Sequence, residues 1–256
     1  MSEEEVILGD GISVKSKADC VSEIAEWISS GKMSKYLVCA NPHSLEIARK
    51  DRLFDEAVRS ADLVVPDGVG IVIASKILGG GIRERVTGMD IFMGLSAALN
   101  NKRGARYFFL GSTGSNLKKI EEKMKRDFPG ITVAGTYSPP FKPEFSDEDN
   151  RLMIDAVNRA NPDVLWVGMT APKQEKWIHQ NKEKLNIKFI GAVGAVFDFY
   201  TGNVKRSHAV YQKMGLEWLP RFLRQPRRLW RRNFISNPSF LMRVVSDRIR
   251  GAKADR

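Results

Sequence analysis

Two cysteines and three histidines in 256 residues leave little for thiol or metal chemistry to work with. Cys20 falls in a helical pattern and Cys39 in an apolar strand pattern, so no disulfide is expected between them. His43, His179 and His208 show no ligand spacing. No stretch reaches the 18 apolar residues that cross a bilayer, and the acidic opening MSEEEVILGD lacks the basic-then-apolar order of a signal peptide. The expected location is therefore the cytoplasm. Repeats and low-complexity tracts are absent, as are G-x-G-x-x-G, a Walker lysine and a G-x-S-x-G elbow, which removes the usual markers of dinucleotide binding, P-loop chemistry and acyl-transfer hydrolysis.

What the chain does have is an uneven distribution of charge. Residues 1–204 hold 27 basic and 27 acidic side chains, whereas residues 205–256 hold 14 Lys plus Arg against 3 Asp plus Glu. A neutral body thus carries a cationic tail. Within the tail, EWLPRFLRQPRRLWRRNF (217–234) interleaves six arginines with Trp218, Phe222, Trp230 and Phe234. Nucleic acid, a membrane surface and a bound diphosphate would each suit such a segment.

After a hairpin pattern in VILGDGISVKS, short β-rich runs alternate with helical periodicity. Strands are expected at 36–40, 62–66, 106–111, 131–137, 163–169 and 188–193. Helices are expected near 43–60, 69–78, 88–101, 115–127, 146–160 and 172–185, with caps at Asn41, Ser115 and Ser146 and Pro172 at a first helical position. This order predicts an α/β fold: a Rossmann-like, mostly parallel sheet with helices on both faces, spanning 1–204. From 205 to 256 the pattern becomes a broken amphipathic helix, divided by Pro220, Pro226 and Pro238, and reads as a helical basic appendage.

In such sheets ligands bind beyond the carboxyl ends of the strands. Polar and glycine residues collect there: Asn41, Asp67-Gly68, Gly111-Ser112-Thr113-Gly114, Tyr137 to Pro140, Thr170 to Glu175, and Asp198. Asp67 ends a buried strand beside glycine, where it could act as a general base or equally cap the next helix. FFLGSTGSN could offer backbone N–H groups to a phosphate, or form only a tight turn. Lys173, Gln174 and Glu175 open a helix, either as a solvated first turn or with Gln174 bonding sugar hydroxyls. Asp147-Glu148-Asp149 spells D-x-D, but it follows Ser146 at a helix start, where acidic residues suit the dipole.

Taken together, ANPHSLEIARKD, ADLVVPDGVGIV with RERVTGMDIF, FFLGS, PDVLWVGMTAPKQEKW, GAVFDFYTG and GLEWLPRFLRQPRRLWRRN resemble the bacterial WecG/TagA/CpsF glycosyltransferase family. The resemblance implies an inverting enzyme that moves a sugar from a UDP donor to a polyprenyl-diphosphate-linked sugar. Its products belong to teichoic acid or other cell-surface polysaccharide synthesis. It also implies no cofactor and no metal, and peripheral association with the inner face of the plasma membrane. By the same resemblance Asp67 is the catalytic base, with Arg85, Gln174, Arg221, Arg228 and Arg231 completing the catalytic set. Cys39, Asn41, Gly68, Gly111, Ser112, Thr113, Lys173 and Asp198 are the expected substrate-binding positions. Cys39 stands where many members have threonine, and His208 where proline is frequent.

The partners expected are thus the UDP-sugar, the lipid-linked acceptor and an anionic membrane surface, with no nucleic acid; one sequence leaves the oligomeric state open. The competing classes are a basic nucleic-acid-binding module, which leaves the neutral body and its polar rim unexplained, and a noncatalytic lipid-bound scaffold.

Overall fold

The computed structural model describes residues 3–204 and 230–254. Its first element is the expected hairpin, β1 (Glu4–Ile7) paired antiparallel with β2 (Asp10–Ser13). Both turn residues, Leu8 and Gly9, have positive φ, which matches the right-handed twist of the flanking strands.

Six further strands form one parallel sheet: β3 (Lys35–Ala40), β4 (Leu63–Pro66), β5 (Arg106–Gly111), β6 (Thr132–Tyr137), β7 (Val164–Gly168) and β8 (Phe189–Ala192). Each lies within a residue of its predicted span because the runs are apolar and end at polar or glycine residues. Their order across the sheet is β4-β3-β8-β7-β5-β6. The chain builds β3 and β4, jumps to β5 and β6, then returns through β7 and lays β8 beside β3. The first and last strands of this sheet therefore become neighbours, while crossovers leave in opposite directions between β7, which leads to β8, and β5, which leads to β6, and open a crevice at those carboxyl ends.

Alternation along the strands divides the core into two layers. Tyr36, Val38, Leu110, Val167 and Ile190 face one side, with α2 (Pro42–Ala48), α3 (Arg52–Arg59), α4 (Val69–Leu78), α7 (Asp147–Ala160) and α8 (Lys173–Asn181) packed on it. Leu37, Phe109, Trp166 and Phe189 face the other, covered by α1 (Lys17–Ser29), α5 (Gly88–Lys102), α6 (Gly114–Asp127) and α9 (Val196–Thr201).

Three local expectations are corrected. The helix expected over 43–60 is two, because the Asp51 side chain accepts the N–H of Phe54 and caps a new start. The cap of α6 is Thr113 rather than Ser115: its hydroxyl accepts the Asn116 N–H at 3.3 Å, and the helix begins at Gly114. Pro172 precedes the first helical residue of α8 as its N-cap position.

The final element, α10 (Asn237–Ala254), follows a π-helical turn over Arg231–Ser236. Pro238 falls just after the π-helical turn, and the helix continues through it, so it does not divide this segment as expected. Phe240 and Val244 are fully buried in the first core layer, and α10 packs on α2 and α4. Arg243 pairs with Glu46 across α10 and α2, and Ser236 Oγ lies 2.9 Å from His43 Nδ1.

Phe240→Ala should lower the unfolding free energy by about 3–5 kcal/mol through the cavity it leaves. Urea denaturation of the full chain measures this, and a loss below about 1 kcal/mol would separate α10 from the cooperative core.

Candidate active site

At the β3 and β4 ends, the chain turns straight into helices. Asn41 caps α2: its side-chain oxygen accepts the N–H groups of His43 and Ser44, both at 3.1 Å, and Ser44 Oγ accepts the Asn41 N–H at 2.8 Å. With the oxygen engaged, the amide nitrogen is the group Asn41 can offer a ligand. Asp67 is half-buried, and its backbone N–H reaches the Ala40 carbonyl at 2.7 Å, which fixes it beside the end of β3. α4 starts on Gly68 at φ +109, a left-handed position that favours glycine, so the N-cap position itself is Gly68 and not Asp67.

The same corner is closely packed. A Cβ on Gly70 would lie 2.5 Å from Pro42 Cγ, so the first turns of α2 and α4 touch. Val86 donates its N–H to the Pro66 carbonyl at 2.9 Å, which brings the backbone on either side, at Arg85 and Asp67, into one neighbourhood. Beneath them, burial pushes the Cys39 thiol well above its ordinary range, and the nearby charges of Asp67, Glu175 and Asp90 push it further. Cys39, Asp67 and Glu175 therefore share one electrostatic environment.

The middle of the rim belongs to α8. Gln174 and Glu175, read in the sequence as a possible solvated first turn, are each only 3% exposed. Gln174 Oε1 accepts the Gly194 N–H at 3.1 Å and its Nε2 donates to Glu175 Oε1 at 2.8 Å. Glu175 Oε2 is buried without a hydrogen-bond partner among the described residues. Burial pushes the Glu175 carboxyl up to about 7, against the opposing pull of the Gln174 amide and its own backbone N–H. Lys173 turns away: its Nζ donates to the Lys142 carbonyl and stands 3.6 Å from the centre of the Phe145 ring, tying α8 to the β6–α7 loop.

At the β5 end, Gly111 takes φ +116, and a Cβ there would come within 2.6 Å of the Gly168 carbonyl oxygen. Ser112 follows at φ +58 and donates its N–H to that carbonyl at 3.2 Å. Asn116 then gathers the loop, donating to Ser112 Oγ at 2.9 Å and to Asp198 Oδ1 at 3.0 Å while accepting from Asn203 Nδ2 at 2.7 Å. From β4 to β5 there are four strand steps, about 19 Å at ordinary spacing, so one ligand touching both ends must be extended.

The structure thus groups Asp67, Gly68, Arg85, Cys39 and Asn41 at one end of the rim, Gln174 in the middle, and Gly111, Ser112, Thr113 and Asp198 at the other. Arg221 and Arg228 lie outside the described residues, and only the backbone of Arg231 is described. Asp149 of the D-x-D run accepts from the Ser146 N–H and hydroxyl in a capping box and pairs with Lys142. Sequence reasoning missed two residues. Asn116 was signalled only by its place in the glycine loop, and nothing in the sequence told buried Glu175 from an ordinary acidic first turn.

The family model described as "Glycosyl transferase WecG/TagA/CpsF family" matches residues 6–254. The chain is 33% identical over 218 residues to the N-acetylglucosaminyldiphosphoundecaprenol N-acetyl-beta-D-mannosaminyltransferase of Bacillus spizizenii, covering 85% of this chain and 81% of that one. It is 30% identical over 216 residues to the Bacillus subtilis protein of the same name, covering 84% and 81%. A Staphylococcus aureus protein, again of that name, is 25% identical over 219 residues, covering 86% and 83%.

Glu175 also makes stability depend on pH. Its carboxyl is raised from 4.5 to about 7 on folding, so its contribution is fully present below about pH 4.5 and lost as pH rises through 7. Between about pH 5 and pH 8 the parent should lose stability relative to Glu175→Gln by up to about 3 kcal/mol. Melting curves across that range test this, and parallel profiles would refute it.

Proposed function

Since the chain belongs to the WecG/TagA/CpsF family of glycosyl transferases, we propose that it moves an N-acetylmannosaminyl or related hexosyl group from a UDP donor to a sugar carried on a polyprenyl diphosphate. The names of the relatives support the acceptor class and the group transferred. The reaction inverts the anomeric carbon, and its product feeds a cell-surface polysaccharide or teichoic acid.

In this reading Asp67 accepts the proton of the acceptor hydroxyl as that oxygen attacks the anomeric carbon, and UDP departs from the opposite face. The observation that carries it is position: Asp67 is half-buried at the carboxyl end of β4, its backbone bonded to Ala40 at the end of β3, one residue from the Asn41 cap. Arg85, Arg221, Arg228 and Arg231 would counter the charge building on the diphosphate, the part a metal plays elsewhere, and do so more in the transition state than before it. The N–H groups at the start of α6 lie about 19 Å from that corner, where they suit the far end of an extended donor. Gln174 and Asn41 offer amide hydrogens to sugar oxygens.

A location at an anionic membrane surface fits the exposed apolar side chains of Trp230, Phe234, Ile235, Met242, Val245 and Ile249, with Arg248 and Arg250 alongside. No helix among the described residues is long and apolar enough to cross a bilayer.

Asp67→Asn should lower turnover by about 10²- to 10⁴-fold with UDP binding little changed. Release of UDP from UDP-N-acetylmannosamine and a short-chain diphosphate-linked N-acetylglucosamine acceptor measures it; near-normal turnover refutes the base role. Trp230→Ser combined with Ile249→Ser should weaken co-sedimentation with anionic phospholipid vesicles by about tenfold or more, since each side chain is worth about 1.5–3 kcal/mol when buried. Unchanged co-sedimentation would remove this face from the contact.

A further inference from the structure

Glu175 is held where an apolar side chain of similar size would fit with less cost. It is 3% exposed, and one carboxylate oxygen has no hydrogen-bond partner among the described residues. A local cost kept beside a ligand crevice calls for a functional reason.

Its hydrogen bond with Gln174 supplies that reason. Ionised, the Glu175 carboxylate only accepts, and a backbone N–H only donates, so the Gln174 amide then lies between two opposite demands. Its oxygen meets the Gly194 N–H and its nitrogen meets Glu175 Oε1. Turned by half a revolution, the amide would set donor against donor and oxygen against carboxylate. Glu175 and Gly194 together therefore permit one orientation, in which the second N–H of Gln174 is left over for a ligand. The link also joins strands made at different times, because Gly194 follows β8 while α8 follows β7.

We propose that Glu175 is a positioning residue for sugar transfer: it locks the Gln174 amide so that one N–H is presented to the sugar nucleotide. This rests on the reading of the rim as the donor site. Glu175 touches no substrate and acts only through its neighbour.

Three features distinguish this role from a purely structural one. Glu175→Met removes a buried, half-partnered carboxylate and should melt at or above the parent temperature, while turnover falls about ten- to a hundredfold because the amide is no longer held in register. Glu175→Gln keeps an acceptor oxygen in place and should fall between the two. In a double-mutant cycle, Glu175→Met added to Gln174→Ala should cost less than about twofold, because the residue it positions is already gone.

The assay is UDP release from UDP-N-acetylmannosamine with the short-chain acceptor, run beside thermal melting of each variant. Parent-like turnover in Glu175→Met overturns the inference, as does a melting temperature that falls together with turnover, or losses that multiply in the double variant. A parent chain that releases no UDP sinks the proposed function itself, and this inference with it. Failure of the Glu175 variants alone, in an active parent, sinks only the inference.

Discussion

Parallel pairing of β3 with β8 is the constraint on which the rest depends. Lys35, Tyr36 and Leu37 are in register with Phe189, Ile190 and Gly191, so segments about 150 residues apart become nearest neighbours. That pairing places the Asn41 cap beside the Gly194 turn and brings α8, with Gln174 and Glu175, next to the Asp67 corner. Without it, the sheet would be two separate halves, one carrying the carboxylate and the other the amide and the glycine loop. The juxtaposition of the two halves of the rim is a product of strand pairing before it is a product of any one side chain.

Burial then gives the crevice its chemistry. Cys39, Asp67 and Glu175 lie close enough to influence one another, in a region where water is scarce and each charge acts more strongly than it would at the surface. The far end is different in kind. Ser112, Asn116, Asp198 and Asn203 form a connected polar network, which holds a loop in shape and offers a polar face to an extended ligand. A glycosyl donor has the same division, a reacting carbon at one end and a nucleoside to be gripped at the other.

Much of this was legible in the sequence, for a physical reason. Apolar runs such as DLVVP and RYFFLG alternate faces once folded, and each ends at the residue that turns the chain, so strands and rim positions could be read together. Asn41 before Pro42 was equally plain, since the cap is local. Burial and side-chain direction were not. Lys173, Gln174 and Glu175 are consecutive, yet one reaches sideways to the Phe145 ring while the other two go under the rim, a difference set by elements distant in sequence. Thr113 and Ser115 carry the same hydroxyl, and only backbone geometry decided which began α6. The tail was legible as charge and aromatic content, but nothing in its pattern told that Phe240 and Val244 complete the core against α2 and α4.

The central strand pair also sets a schedule for biosynthesis. A ribosome adding about 5–20 residues per second needs about 8–30 s to travel from β3 to β8. Through that interval one edge of β3 has no partner, and Tyr36, Val38 and Ala40 await a covering layer that includes α8 and α10. The nascent chain thus carries an open, apolar strand edge for most of its own translation, a natural client for a holding chaperone. The β3–β8 pair itself can close only once residues 189–192 have emerged.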